Sequence, residues 1–105
     1  MGTLLYGTAG TQFVIDDRAL AHLQVVITSK LRRGESLVFT WIESSKGGSG
    51  RSSVWMSPSS EIVFVYFGNR SPMLNREWIE ALMTSANSAG GLHLSTEPAL
   101  VHPAP

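Results

Sequence analysis

Leu20, Leu23, Ile27 and Leu31 recur at spacings of three, four and four, the interval that stacks side chains on one face of an α-helix. Asp16 and Asp17 place acceptors and negative charge where that helix starts. Lys30, Arg32 and Arg33 gather cations where it ends, and Gly34 suits the left-handed turn that closes a helix. Trp78, Leu82 and Ala86, widened by Ile79 and Met83, make a second stripe. Asn75 caps it, Glu77 and Glu80 occupy its first turns, and "SAGG" stops it.

The remaining apolar runs are β-branched or aromatic. They predict short strands at 3–6, 12–15, 37–42, 53–56, 61–67 and 92–94. Glycines in "GTAGT" make the first two a hairpin. The next three read as an antiparallel meander, joined by "SSKGGSGRSS" and "SPSS". The order is ββαβββαβ, an α+β fold in two layers: a mainly antiparallel sheet with two helices on one face. Residues 1–94 are expected to form one domain. From Ser95 to Pro105 three prolines fall in eleven residues, and that stretch is expected to trail as a flexible tail.

Strands with one wet face alternate apolar and polar side chains, and these do not. Leu37, Phe39 and Trp41 oppose Val38, Thr40 and Ile42. Ile62, Phe64 and Tyr66 oppose Val63, Val65 and Phe67. Two helices, each ~10 Å across, roof ~20 Å. Five or six strands at ~4.8 Å make a sheet ~24–29 Å wide. One face therefore stays uncovered, with Val38, Ile42, Val54, Met56, Val63, Val65 and Phe67 as its candidate residues. The expected occupant is a second copy of the chain, giving a homodimer through the sheet. Another protein or a flat apolar ligand is an alternative, and a helix on either face would dissolve the surplus into an ordinary core.

Composition sharpens this picture. The 105 residues carry eight Lys+Arg against eight Asp+Glu; only 15% are charged and 43% are hydrophobic. Zero net charge with a thin charged coat favours self-association and argues against a strongly cationic nucleic-acid binder. Without cysteine there is no disulfide framework and no thiol chemistry. "MGTLLYGTAG" lacks the basic start and apolar core of a secretion signal, and no run approaches the ~18 apolar residues of a membrane span. The expectation is a cytoplasmic protein without membrane contact.

Candidate chemistry is sparse. "SSKGGSGRSS" has the glycines and cations of a phosphate-binding loop, but a strand follows it and the G-x-x-x-x-G-K-[ST] spacing is missing, so a hairpin tip is the better reading. Lys30, Arg32, Arg33, Lys46 and Arg51 are candidates for a nucleic-acid or anion patch, with Trp41, Trp55 or Tyr66 available to stack on bases. Cations at a helix end also serve the helix dipole alone. His22 is expected on the solvated side of the first helix, near Asp16 and Asp17; His93 and His102 have no partner at metal-binding spacing. Glu77 and Glu80 are ordinary first-turn carboxylates, and no serine sits in a nucleophile elbow. No catalytic residue, metal or cofactor is predicted. The reading is a non-enzymatic interaction module, with a nucleic-acid-associated accessory as runner-up.

At "IDDRALAHLQVVITSKLRRGESLVFTW", "GRSSVWMSPS" and "LNREWIEALMTSANSAGGL" the chain resembles a family of short, uncharacterised actinobacterial proteins, from "LLYG" to "GGL". The name "ATP-dependent DNA ligase" is often attached to such chains. The resemblance implies at most an association with DNA repair or ligation. A ligase needs a K-x-D-G lysine, and here Lys30 is followed by Leu31, Arg32 and Arg33.

Overall fold

The computed structural model describes residues 1–45 and 48–99. Its elements are β1 (Gly2–Tyr6), β2 (Thr11–Ile15), α1 (Asp17–Arg32), β3 (Leu37–Ser45), β4 (Gly48–Met56), β5 (Ile62–Val65), α2 (Arg76–Ala86) and β6 (Leu92–His93). That is the ββαβββαβ order of an α+β fold. The Asp16 carboxylate accepts from the Arg18 and Ala19 amides and starts α1, and the Asn75 side chain accepts from the Glu77 amide and starts α2. At the far end of α1, Gly34 (φ +78°) lets its own amide reach the Leu31 carbonyl while Glu35 reaches that of Lys30.

The strands form two three-stranded sheets instead of one. The first has the order β2-β1-β5, antiparallel throughout; the second is β4-β3-β6, with β6 parallel to β3. The expected meander is thus broken after β4. A turn at Ser57–Ser60 diverts the chain, closed by the Ser60 amide on the Ser57 carbonyl at 2.9 Å. The Gly7 amide then binds the Glu61 carbonyl at 2.8 Å and draws β5 onto β1. Pairing there sets Leu4 opposite both Phe13 and Phe64, so a fully buried leucine is flanked by two rings. β3 and β4 also run further than the pattern suggested, reaching Ser45 and Gly48, so "SSKGGSGRSS" is mostly paired strand.

One apolar core joins both sheets. Leu4, Phe13 and Ile15 come from the first, Phe39, Met56 and Leu92 from the second. Phe13 meets Phe39 edge to face at 5.7 Å, and the Tyr6 hydroxyl donates to the Trp55 carbonyl across the gap. α1 lies against β1, α2 against β3 and β6, and the helices touch each other. Gly91 (φ +84°) brings β6 in: a Cβ there would stand 2.7 Å from the Val38 carbonyl oxygen.

The stretch after Leu94 is tied down as far as Pro98. Trp78 Nε1 donates to the Ser95 carbonyl, Arg18 grips Glu97 through two 2.8 Å bonds, and Asn75 Nδ2 donates to the Pro98 carbonyl. His102 lies outside the described residues.

Candidate interaction surfaces

His22 is the largest departure from the sequence reading. It is fully buried, not solvated, because α2 begins against it. The Asn75 amide donates to His22 Nε2 at 2.8 Å, so the proton sits on Nδ1, which donates to the Arg18 carbonyl at 2.7 Å. The Trp78 ring packs beside the imidazole at 4.6 Å. Around this centre Arg18 also donates to the Met73 carbonyl, and Asn75 Nδ2 to Glu97 Oε2 at 3.0 Å. The Arg18 guanidinium, and then the Asn75 amide, hold the Glu97 carboxyl down at about 2. Glu97 in turn holds the Arg18 guanidinium above its ordinary value. Each polar group here is taken up by another. The cluster clasps α1, α2 and the chain after β6; it offers no free nucleophile or base. Among the described residues no group of three or more His, Asp or Glu side chains is placed to hold a metal.

Of the candidate cations, one is buried and paired, and three are exposed. Lys30 is buried, its ammonium 2.6 Å from Asn87 Oδ1 and 2.8 Å from a Glu35 oxygen, so it staples the end of α1 to the end of α2. That ammonium pulls the Glu35 carboxyl below its usual range. Arg32 and Arg33 are exposed at the end of α1, and Arg51 is exposed on β4 in the other sheet. Lys46 lies outside the described residues. Lys30 is therefore not free to join a surface patch, because Asn87, 57 residues away, meets it.

The apolar candidates also divide. In the first sheet the outward positions, fixed by register, are Thr3, Leu5, Gln12, Val14, Val63 and Val65. Val14, Val63 and Val65 stand 51%, 51% and 45% exposed, and none of the six positions is charged. Phe67 follows β5 and is exposed. In the second sheet Met56 pairs with Leu37 and Val54 with Phe39, so both point into the core and Met56 is fully buried. Those two expectations are corrected: the register puts Trp55 outward instead, beside half-buried Val38, while Ile42 is exposed opposite Arg51. Trp41 is half-buried against Phe13 and Phe39.

A groove between α1 and β5 was not visible in the sequence. Its two lobes, about 360 and 330 Å³, meet at Thr28. Val25 and Leu31 form the helix wall; Ile62, Phe64 and Tyr66 form the strand wall. The Tyr66 hydroxyl donates to Gln24 Oε1 at 2.6 Å, and burial, with the Asp17 charge behind it, pushes that hydroxyl up. The Asp17 carboxylate accepts from the Phe67 and Gly68 amides at 3.1 and 2.9 Å, which lowers its pKa and pins the segment leaving β5.

Two sheet faces carrying exposed apolar side chains, and a groove between α1 and the β5 segment, are the surface features of this small α+β domain. The chain belongs to the family described as "Domain of unknown function (DUF7882)", which matches residues 1–97 and so takes in the clasp residue Glu97. No curated protein and no solved structure matches it. No helix among the described residues is long and apolar enough to cross a membrane.

Proposed function

We propose that this domain is a non-catalytic interaction module that pairs with a second copy through the outer face of β2-β1-β5. The observation that carries the reading is the uncharged outward row of Thr3, Leu5, Gln12, Val14, Val63 and Val65, three of them large, apolar and half exposed. An uncharged apolar face of this kind can pack against its own copy about a two-fold axis. Three strands at ~4.8 Å and five residues at ~3.3 Å give a footprint of ~240 Å². A standard interface uses ~800 Å² per partner, so the pairing is weak unless rim residues such as Phe67 join, and a Kd of about 10–100 µM is expected. Sedimentation velocity from about 5 to 500 µM should show the dimer fraction rising with concentration. Val65→Lys should abolish it without lowering Tm. A single 11.4 kDa species at every concentration would refute the reading.

A second reading, a nucleic-acid accessory linked to DNA repair or ligation, is supported by one feature. Arg51 and Trp55 on β4 share an outward sheet face with Ile42 on β3. A cation and an exposed aromatic on a sheet suit single strands. With Lys30 committed elsewhere, few phosphates are contacted. Filter binding of oligo-dT should then show a log–log salt slope no steeper than about −2 to −3. Retention that ignores Arg51→Glu and Trp55→Ala would remove this reading.

A further inference from the structure

Among the described residues β5 is the last strand of its sheet, and no strand lies beside its second edge. The register shows which groups face that edge. Gly7 and Glu61 exchange a hydrogen bond in line with the β1–β5 pairing, so Val63 and Val65 turn their amides and carbonyls toward β1. Ile62 and Phe64 therefore turn theirs the other way. Among the described residues no other backbone or side chain takes up the Ile62 and Phe64 amides. Apart from its shortness, β5 carries none of the devices that blunt an edge: it reads Ile-Val-Phe-Val, with no lysine, proline or bulge.

The groove runs beneath this edge. From Ala21 to Arg32, the α1 residues that line it span eleven steps of ~1.5 Å, or ~16 Å, the length of about five residues of extended chain. A strand added to β5 would drop alternate side chains between the helix wall and Phe64. Charge selects the occupant. The groove lining includes Arg70 in one lobe and Arg32 in the other, and no carboxylate. The nearby Asp17 carboxylate is taken by the Phe67 and Gly68 amides. The exposed Glu61 beside β5 alternates with Val63 and Val65 and so turns to the outer face, so two-fold pairing of β5 with its own copy would bring together two grooves lined by arginine and by no carboxylate. An acidic strand from a different protein has no such conflict.

We propose that the open edge of β5 and the groove under it bind an extended segment of another protein, with apolar side chains at alternate positions and at least one carboxylate, as an added strand. This site is separate from the self-association face and stands or falls independently of it.

The test is a selection of displayed random heptapeptides on the immobilised full chain, followed by NMR titration of the recovered peptide into ¹⁵N-labelled protein. Alternating apolar and acidic sequences are expected, with the Ile62, Phe64 and Tyr66 amides shifting and gaining protection from exchange. Arg32→Glu with Arg70→Glu should weaken binding about tenfold. N-methylation of the peptide at alternate residues should abolish binding on one phase and spare it on the other, a readout that needs no protein variant. Failure to enrich any peptide, or enrichment of basic ones, overturns the proposal. So do shifts confined to Val14, Val63 and Val65 or to Arg51 and Trp55. Protection of Ile62 and Phe64 that grows with protein concentration alone would make a second copy the occupant and overturn it too.

Discussion

Replacing Gly91 with alanine tests how tightly the second sheet is closed. Gly91 adopts φ +84°, where an L side chain costs ~1–2 kcal/mol. The new Cβ would also stand 2.7 Å from the Val38 carbonyl oxygen and 3.0 Å from Val38 Cβ. Neither neighbour is the free end of a flexible chain. Val38 lies on β3 between residues paired to β4, and next to Phe39, which pairs with Leu92. Relieving the contact moves a central strand, which by the cost of overpacking adds ~1–3 kcal/mol. The sum, ~2–5 kcal/mol, corresponds to a Tm drop of roughly 10–20 °C for a domain of this size. Gly34→Ala is the matched control: its φ is +78°, but nothing lies within 4 Å of the added Cβ. It should lose only the conformational cost, roughly 5–10 °C. Thermal unfolding followed by circular dichroism gives both numbers. If the two variants drop by the same amount, the contact with Val38 is not real and β6 is held by something other than close approach.

Two further outcomes probe the clasp between the helices. His22→Leu leaves the Asn75 amide buried without its acceptor and should cost ~1–3 kcal/mol, read as a lower urea midpoint by circular dichroism; an unchanged midpoint would refute the assigned hydrogen bond. Glu97 has a folded pKa of about 2, below its unfolded value of about 4.3, so its contribution to stability is fully present above the unfolded value and is lost as pH falls toward 2. Tm should therefore decline across that window, and Glu97→Gln should remove part of the decline; parallel curves for both proteins would refute the clasp.

Local information carried the helices. Asp16 and Asn75 cap them as their chemistry demands, and Trp78, Leu82 and Ala86 are the buried stripe that spacing implies. Alternation within β5 was equally legible: Ile62 and Phe64 turn inward, Val63 and Val65 outward. What escaped the sequence depended on partners far along the chain. Neighbouring strands usually pair, so β5 read as β4's partner until Gly7 was seen to capture Glu61. The inward side of β4 rests on the register Leu37 to Met56; one step of slip would exchange Val54 and Trp55. Lys30 looked like a solvated helix-end cation because Asn87 is distant in sequence. His22 looked solvated for the same reason, its acceptor nitrogen being claimed by a residue 53 positions on. The groove arises from a gap between α1 and β5, and no run of residues encodes a gap.

The way the strands are interleaved has a consequence for how the chain acquires its shape. β1 needs β5, emerging some sixty residues later, and β3 needs β6, near the far end. As the polypeptide leaves the ribosome, neither sheet can be completed by its early strands, and the apolar stripe of α1 waits for both. Maturation is deferred until β6 has been synthesised, so nascent chains should depend on protection from one another up to that point.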